Sequence, residues 1–243
     1  MQDSRLEDAG IADRLSQSAL HRRTMVDCQI RTFEVTDQPL LARMLAVPRE
    51  HFLPGELAQL AYSDIALQLK PAGPGGERRT LLPPLVLARL IQGAGVGSTG
   101  TVLDVGAATG YSSALLAGLA GRVVALESER SLYNALRSNL DAFGLAKVQT
   151  NLAPLAEGAP NEAPFDLIFI NGAVEANLEA LFAQLTDGGR LVAIKPLPGD
   201  PTGRAGKALR YEKIDGATGY RVLFDASAPV LEAFRQDAQF TFF

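Results

Sequence analysis

Thr101-Val102-Leu103-Asp104-Val105-Gly106-Ala107-Ala108-Thr109-Gly110-Tyr111 decides the reading of this chain. The apolar run to Val105, broken only by Asp104, predicts a buried strand. The small residues from Gly106 to Gly110 predict a tight turn, because glycine accepts sharp bends and lets a backbone come close to a ligand. The amphipathic run Ser112–Leu119 predicts a helix opening directly from that turn, with its free N–H groups directed at the ligand. A second strand, Arg122–Leu126, ends in Glu127, 23 residues after Asp104. In a Rossmann-type unit the acid that holds a ribose falls about 20 residues on. Strand, glycine turn, helix, strand and acid make the front half of a nucleotide-type site.

Outward from that stretch the chain alternates. Strands are expected at Thr101–Val105, Arg122–Leu126, Lys147–Thr150, Leu167–Asn171 and Arg190–Ile194, and helices at Tyr111–Leu119, Glu129–Phe143 and Asn177–Leu185. This pattern predicts a mostly parallel sheet covered on both faces. Leu209–Ile214 and Tyr220–Phe224, around Asp215-Gly216, predict a strand pair, and Gln239–Phe243 one more strand. Gly188-Gly189 is expected to stop the preceding helix. Upstream, Asp37 is placed to cap a helix carrying Pro39 in its first turn and Leu40, Leu41, Met44 and Leu45 beyond it. A Pro/Gly-rich loop covers Pro71–Gly76, a helix starts at Pro84, and Gly93–Gly100 is a linker. Three segments result: a polar arm at 1–24, a helical extension with a substrate-side loop at 25–92, and an α/β core at 93–243.

Composition narrows the class. The 243 residues are 47% hydrophobic and carry a formal charge of −4, which argues against a broad nucleic-acid-binding surface. The one cysteine, Cys28, excludes an intrachain disulfide and fits a reducing compartment; on the first helix it is expected as a small core residue. The N-terminus lacks a basic start with an apolar run, and no apolar stretch reaches the ~18–20 residues of a membrane span. These features predict a cytoplasmic chain with no membrane and no nucleic-acid partner. No metal site is expected, and the oligomeric state is open.

The turn itself is G-x-x-x-G, one glycine short of the dinucleotide fingerprint G-x-G-x-x-G. It is similar to the G-x-G-x-G loop of S-adenosylmethionine (SAM) methyltransferases, with Ala108 at the middle glycine. The wider sequence resembles the protein-L-isoaspartate (D-aspartate) O-methyltransferase family from Met25 to about Ile194. Met25-Val26 with Gln29-Ile30-Arg31 resembles its opening helix. Val47-Pro48-Arg49-Glu50-His51-Phe52-Leu53-Pro54 resembles its V-P-R-E-x-F-V-P, and Ala61-Tyr62-Ser63-Asp64 its A-Y-E-D. Val102–Tyr111 resembles its V-L-E-I-G-x-G-S-G-Y, and Ala163-Pro164-Phe165-Asp166 its A-P-F-D.

The resemblance implies a Rossmann-like SAM-dependent methyltransferase fold: a mostly parallel seven-stranded sheet with an antiparallel C-terminal strand, behind an N-terminal helical extension. It implies SAM as cofactor, held by Asp104, Gly106, Ala107, Ala108, Thr109, Gly110, Tyr111, Glu127, Asn151 and Asn171. It implies methyl transfer to a carboxyl or related acceptor on a protein, a peptide or a small molecule. Departures cluster at that site. Where the family has G-Q-T-I-S-Q-P, this chain has Arg78-Arg79-Thr80-Leu81-Leu82-Pro83-Pro84, so Thr80 is kept but Leu82 stands at the serine associated with the substrate carboxylate. Where the family has the adenine-binding acid of G-D-G, the run here is Thr150-Asn151-Leu152-Ala153, and V-T-A-A is Ile170-Asn171-Gly172-Ala173. Two other readings stand beside the leading one: a SAM-binding homologue without isoaspartyl transfer, and an NAD(P)-dependent Rossmann enzyme.

Overall fold

The computed structural model describes residues 16–70, 76–200 and 205–236. The strand expected at Gln239–Phe243, the first fifteen residues of the arm and most of the Pro/Gly-rich loop lie outside them. Within the expected arm, residues 16–24 are helical (α1) and run on into a π-helical turn, Met25–Ile30. That turn buries Met25, Val26 and Ile30 and leaves Cys28 exposed, so Cys28 is a surface thiol and not a core residue.

α2, Gln38–Ala46, starts where Asp37 accepts a hydrogen bond from the Leu40 N–H at 3.0 Å, which satisfies a donor that the first turn leaves free. A short antiparallel pair follows, β1 (Leu67–Leu69) with β2 (Arg79–Leu81). α3, Pro84–Ala94, leads into the core. There β3 (Thr101–Val105), β4 (Arg122–Glu127), β5 (Gln149–Leu152), β6 (Phe165–Ala173), β7 (Leu185–Pro196), β8 (Gly206–Ile214) and β9 (Ala217–Asp225) form one seven-stranded sheet in the order β5-β4-β3-β6-β7-β8-β9. Every pairing from β5 to β7 is parallel, and β8 alone runs against the rest. α4 (Tyr111–Leu116), α5 (Arg130–Ala142) and α6 (Glu179–Ala183) complete the set.

The strands alternate in the side chains they send to each face. Val102, Val123, Ala125, Phe169 and Val192 pack with the N-terminal elements and α2–α5. Leu103, Val124, Leu126, Ile168 and Leu191 pack on the opposite face with Leu155, α6 and the C-terminal Leu231 and Phe234. α4 departs from the expected amphipathic pattern, since all of its residues are buried; its two serines face an acid, not water. Gly188-Gly189 do not end a helix. α6 stops at Ala183, and the glycines lie in an irregular stretch near the start of β7, where its register against β6 slips.

β3 is the first strand of the seven-stranded sheet in chain order, with β4 on one side and β6 on the other. The strand order reverses there, and in open α/β sheets the ligand crevice lies at the carboxyl ends of the strands beside such a switch point.

Candidate cofactor crevice

Asp104, near the end of β3, is fully buried. Its Oδ2 accepts from Ser112 Oγ at 2.8 Å and Ser113 Oγ at 2.5 Å, and its Oδ1 from Asn171 Nδ2 at 2.6 Å. Burial pushes its carboxyl up to about 6; the three hydrogen bonds oppose the rise and the nearby Glu127 charge adds to it. Asp104 thus fastens the loop between β3 and α4 and ties both to the end of β6.

The loop is bent through three left-handed residues, Gly106 (φ +69°), Ala108 (φ +53°) and Gly110 (φ +100°). Gly110 has no alternative, since a Cβ there would lie 2.8 Å from Leu136 Cδ1 in a backbone conformation L-residues avoid. Ala108 takes the left-handed conformation despite its Cβ, and its N–H donates to Glu127 Oε2 at 2.9 Å.

Glu127 closes β4 and is fully buried. Besides Ala108, it accepts from the N–H groups of Ser128 (2.8 Å) and Glu129 (2.9 Å). It also faces the guanidinium of Arg79, which donates from Nη2 to Oε1 at 2.9 Å and from Nε to Oε2 at 3.2 Å. Arg79 comes from β2, is 1% exposed, and further donates to Ser128 Oγ at 2.7 Å and pairs with Glu77 at 2.6 Å. Glu77, Ser128, Arg130, Leu152–Leu155, Glu232 and Ala233 line an open cavity of about 570 Å³ at the carboxyl ends of β4 and β5.

Other site residues face elsewhere. The Thr109 hydroxyl donates to Phe52 O at 2.6 Å. Tyr111 is buried, its ring 5.7 Å from Phe52 and 4.9 Å beneath the Arg49 guanidinium. Both side chains are spent on fixing the Val47–Pro54 segment, so only their backbone is left for the crevice. At the end of β5 it is Leu152 that lines the cavity, with Asn151 one residue before it and turned the other way by the strand's alternation. Thr80 sits in β2 opposite Gln68, and Leu82 is 2% exposed, its carbonyl accepting from Arg49 Nη2 at 2.8 Å.

Two participants were missed by reasoning from sequence. Arg79 is one, although it replaces the glutamine of G-Q-T-I-S-Q-P. The other is the segment Pro229–Phe234, which crosses the carboxyl end of β6. Ala173 N–H donates to Pro229 O, Leu231 N–H to Ala173 O, and Glu175 and Ala176 N–H to Phe234 O. Leu231 rests on Gly172, where a Cβ would come within 2.7 Å of it, and reaches Gly106. A double strand-end contact of this kind carries no local sequence signal beyond the glycine.

Fold and crevice together define a Rossmann-like methyltransferase-type binding unit. The protein-L-isoaspartate (D-aspartate) O-methyltransferase family model matches residues 21–220. The chain is 35% identical over 178 residues to a protein-L-isoaspartate O-methyltransferase of Koribacter versatilis, covering 73% of this chain and 78% of that one. It is 38% identical over 181 residues to the protein of that name from Methylorubrum populi, covering 74% and 82%. A solved protein-L-isoaspartate O-methyltransferase superposes with a TM-score of 0.71 at 24% identity, over 86% of this chain and 65% of that one. A Plasmodium falciparum structure of the same type, in complex with S-adenosyl-L-homocysteine, gives 0.67 at 18% identity over 88% and 98%. This chain belongs to the protein-L-isoaspartate (D-aspartate) O-methyltransferase family.

Proposed function

We propose that this chain is a SAM-dependent O-methyltransferase of the isoaspartyl type, acting on a carboxyl group of a protein or peptide. The observation that carries the reading is the buried Glu127 carboxylate at the end of β4, set against the left-handed loop and beside the 570 Å³ cavity. The residues present fit the cofactor. The backbone from Gly106 to Tyr111 is shaped for close approach, with Asp104 and Asn171 holding it. Glu127 is positioned for the ribose hydroxyls, and the cavity beside Ser128 and Leu152 for the base. Bound there, SAM supplies a sulfonium methyl group.

The chain's own task is alignment. An acceptor carboxylate is already ionised near neutral pH and needs orientation and dehydration more than a general base. Thr80 and Leu82 are assigned to the acceptor side by the motif resemblance, and Leu82, buried in the N-terminal core, brings no hydroxyl to it. Acting on isoaspartyl residues, the reaction is a step of protein repair. A cytoplasmic setting is supported by the single free Cys28. Among the described residues no helix is long and apolar enough to cross a membrane and no cluster of potential metal ligands occurs.

A second reading, SAM binding without isoaspartyl transfer, is favoured by Leu82 alone. Label transfer from SAM to an isoaspartyl peptide, run beside Leu82→Ser, separates the two. Transfer by the wild-type chain supports the proposal; transfer by the serine variant alone supports the second reading. A titration in which NAD binds and SAM does not would overturn both.

A further inference from the structure

We propose that Arg79 is a resident competitor for the ribose subsite and sets how tightly this chain holds an adenosyl ligand. The inference rests on the reading of Glu127 as the ribose carboxylate. A carboxylate offers about four lone-pair positions. Glu127 already accepts three backbone N–H bonds, from Ala108, Ser128 and Glu129, and two more from the Arg79 fork. Its acceptor capacity is therefore filled by the chain itself. A diol that binds there has to replace one of these donors.

The three N–H groups cannot yield. They belong to the turn after β3 and to the junction of β4 with α5, and moving them would unmake the loop. The guanidinium can, because it arrives on a side chain from β2, a separate part of the fold. It also has somewhere to go. Its Nη1 is paired with Glu77, a residue on the wall of the cavity that is 31% exposed in its side chain, so Arg79 can leave Glu127 without becoming an unpaired buried charge. With arginine at this position the subsite must exchange an ion pair for a diol.

The contacts extend further. Glu77 Oε1 also accepts from the Glu232 N–H at 3.0 Å. One hydrogen-bonded chain therefore runs from the C-terminal segment through Glu77 and Arg79 to Glu127 and the Ala108 N–H. Glu77 works on both ends of it, holding the crossing segment and offering Arg79 its alternative partner.

Calorimetric titration with S-adenosyl-L-homocysteine tests this on the full chain. Arg79→Gln is expected to bind at least tenfold more tightly than wild type, a gain that general structural damage does not produce. Glu77→Gln, which removes the alternative partner and leaves Arg79 committed to Glu127, is expected to bind several-fold more weakly, and it serves also if Arg79→Gln does not fold. Equal or weaker binding by Arg79→Gln, or unchanged binding by Glu77→Gln, with wild type still binding, overturns the competitor role and leaves the cofactor reading standing. No binding by wild type or either variant overturns both.

Discussion

Asn171 Nδ2 donates to Asp104 Oδ1 across 2.6 Å, joining the carboxyl ends of β6 and β3 in the buried floor of the crevice. The carboxyl it holds has a pKa near 6, above the ordinary 3.8. Between those values the folded chain binds a proton that the unfolded chain releases. This group's contribution is therefore fully present below about pH 4 and is lost as pH rises through about 6, by roughly 3 kcal/mol in all. Denaturant unfolding of wild type and Asp104→Asn at pH 4 and pH 7 should show the variant gaining relative stability at the higher pH. A parallel shift at both values would remove Asp104 as the cause.

Ala108 sits at φ +53°, in the left-handed region, between two left-handed glycines of the same loop, Gly106 and Gly110. A left-handed conformation costs an L-residue about 1–2 kcal/mol, part of which the looser unfolded chain of a glycine variant gives back. Ala108→Gly is expected to raise unfolding stability by about 0.5–1 kcal/mol. A loss of stability would show that the methyl group's packing outweighs the backbone strain.

Arg49 is buried, with a hydrogen bond to Leu82 O, the Tyr111 ring beneath it, and Nε and Nη1 without a hydrogen-bond partner among the described residues. Burial pulls its pKa down. Replacing a buried charge by an apolar side chain of similar volume is often neutral or stabilising, whereas removing the volume is not. Arg49→Met should change stability by less than about 1 kcal/mol or increase it, while Arg49→Ala should lose about 3 kcal/mol or more. Equal losses in thermal unfolding would mean that the charge itself holds the segment.

Gln92 on α3 is the clasp of the N-terminal turn. Its Oε1 accepts from the N–H groups of Thr36 (2.7 Å) and Asp37 (3.0 Å), and its Nε2 donates to Glu34 O (3.0 Å) beside the left-handed Glu34. At about 1 kcal/mol per bond, less for solvent exposure, Gln92→Ala should cost about 1–2 kcal/mol. Proteolysis between Arg31 and Gln38 should rise with it; an unchanged cleavage rate would deny Gln92 that role.

The parts of the fold governed by local periodicity were legible in sequence. The β3 strand, its turn, the Asp37 cap and the β8–β9 hairpin all announce themselves within a few residues. Element ends drifted where tertiary pairing sets them: β5 is Gln149–Leu152 and not Lys147–Thr150, because its partner β4 dictates the register. At the site, sequence located the loop and Glu127 through spacing. It did not foresee what those groups would touch. Arg79 meets Glu127 across a chain separation of 48 residues, and Leu231 meets Gly172 only after three further strands, β7, β8 and β9, have been laid down. Such contacts depend on the assembled edge of the sheet, which no window of sequence contains.

That edge owes its last component to parity. After β7 the chain reverses twice, once into β8 and once into β9. An even number of reversals delivers Asp225 to the end of the sheet where β3, β4 and β6 also finish, so the residues that follow begin on the crevice side. One strand fewer would send the same residues out at the far end, a sheet's length from Ala173. A hairpin that adds nothing to the chemistry thereby decides which edge the C-terminal segment can reach.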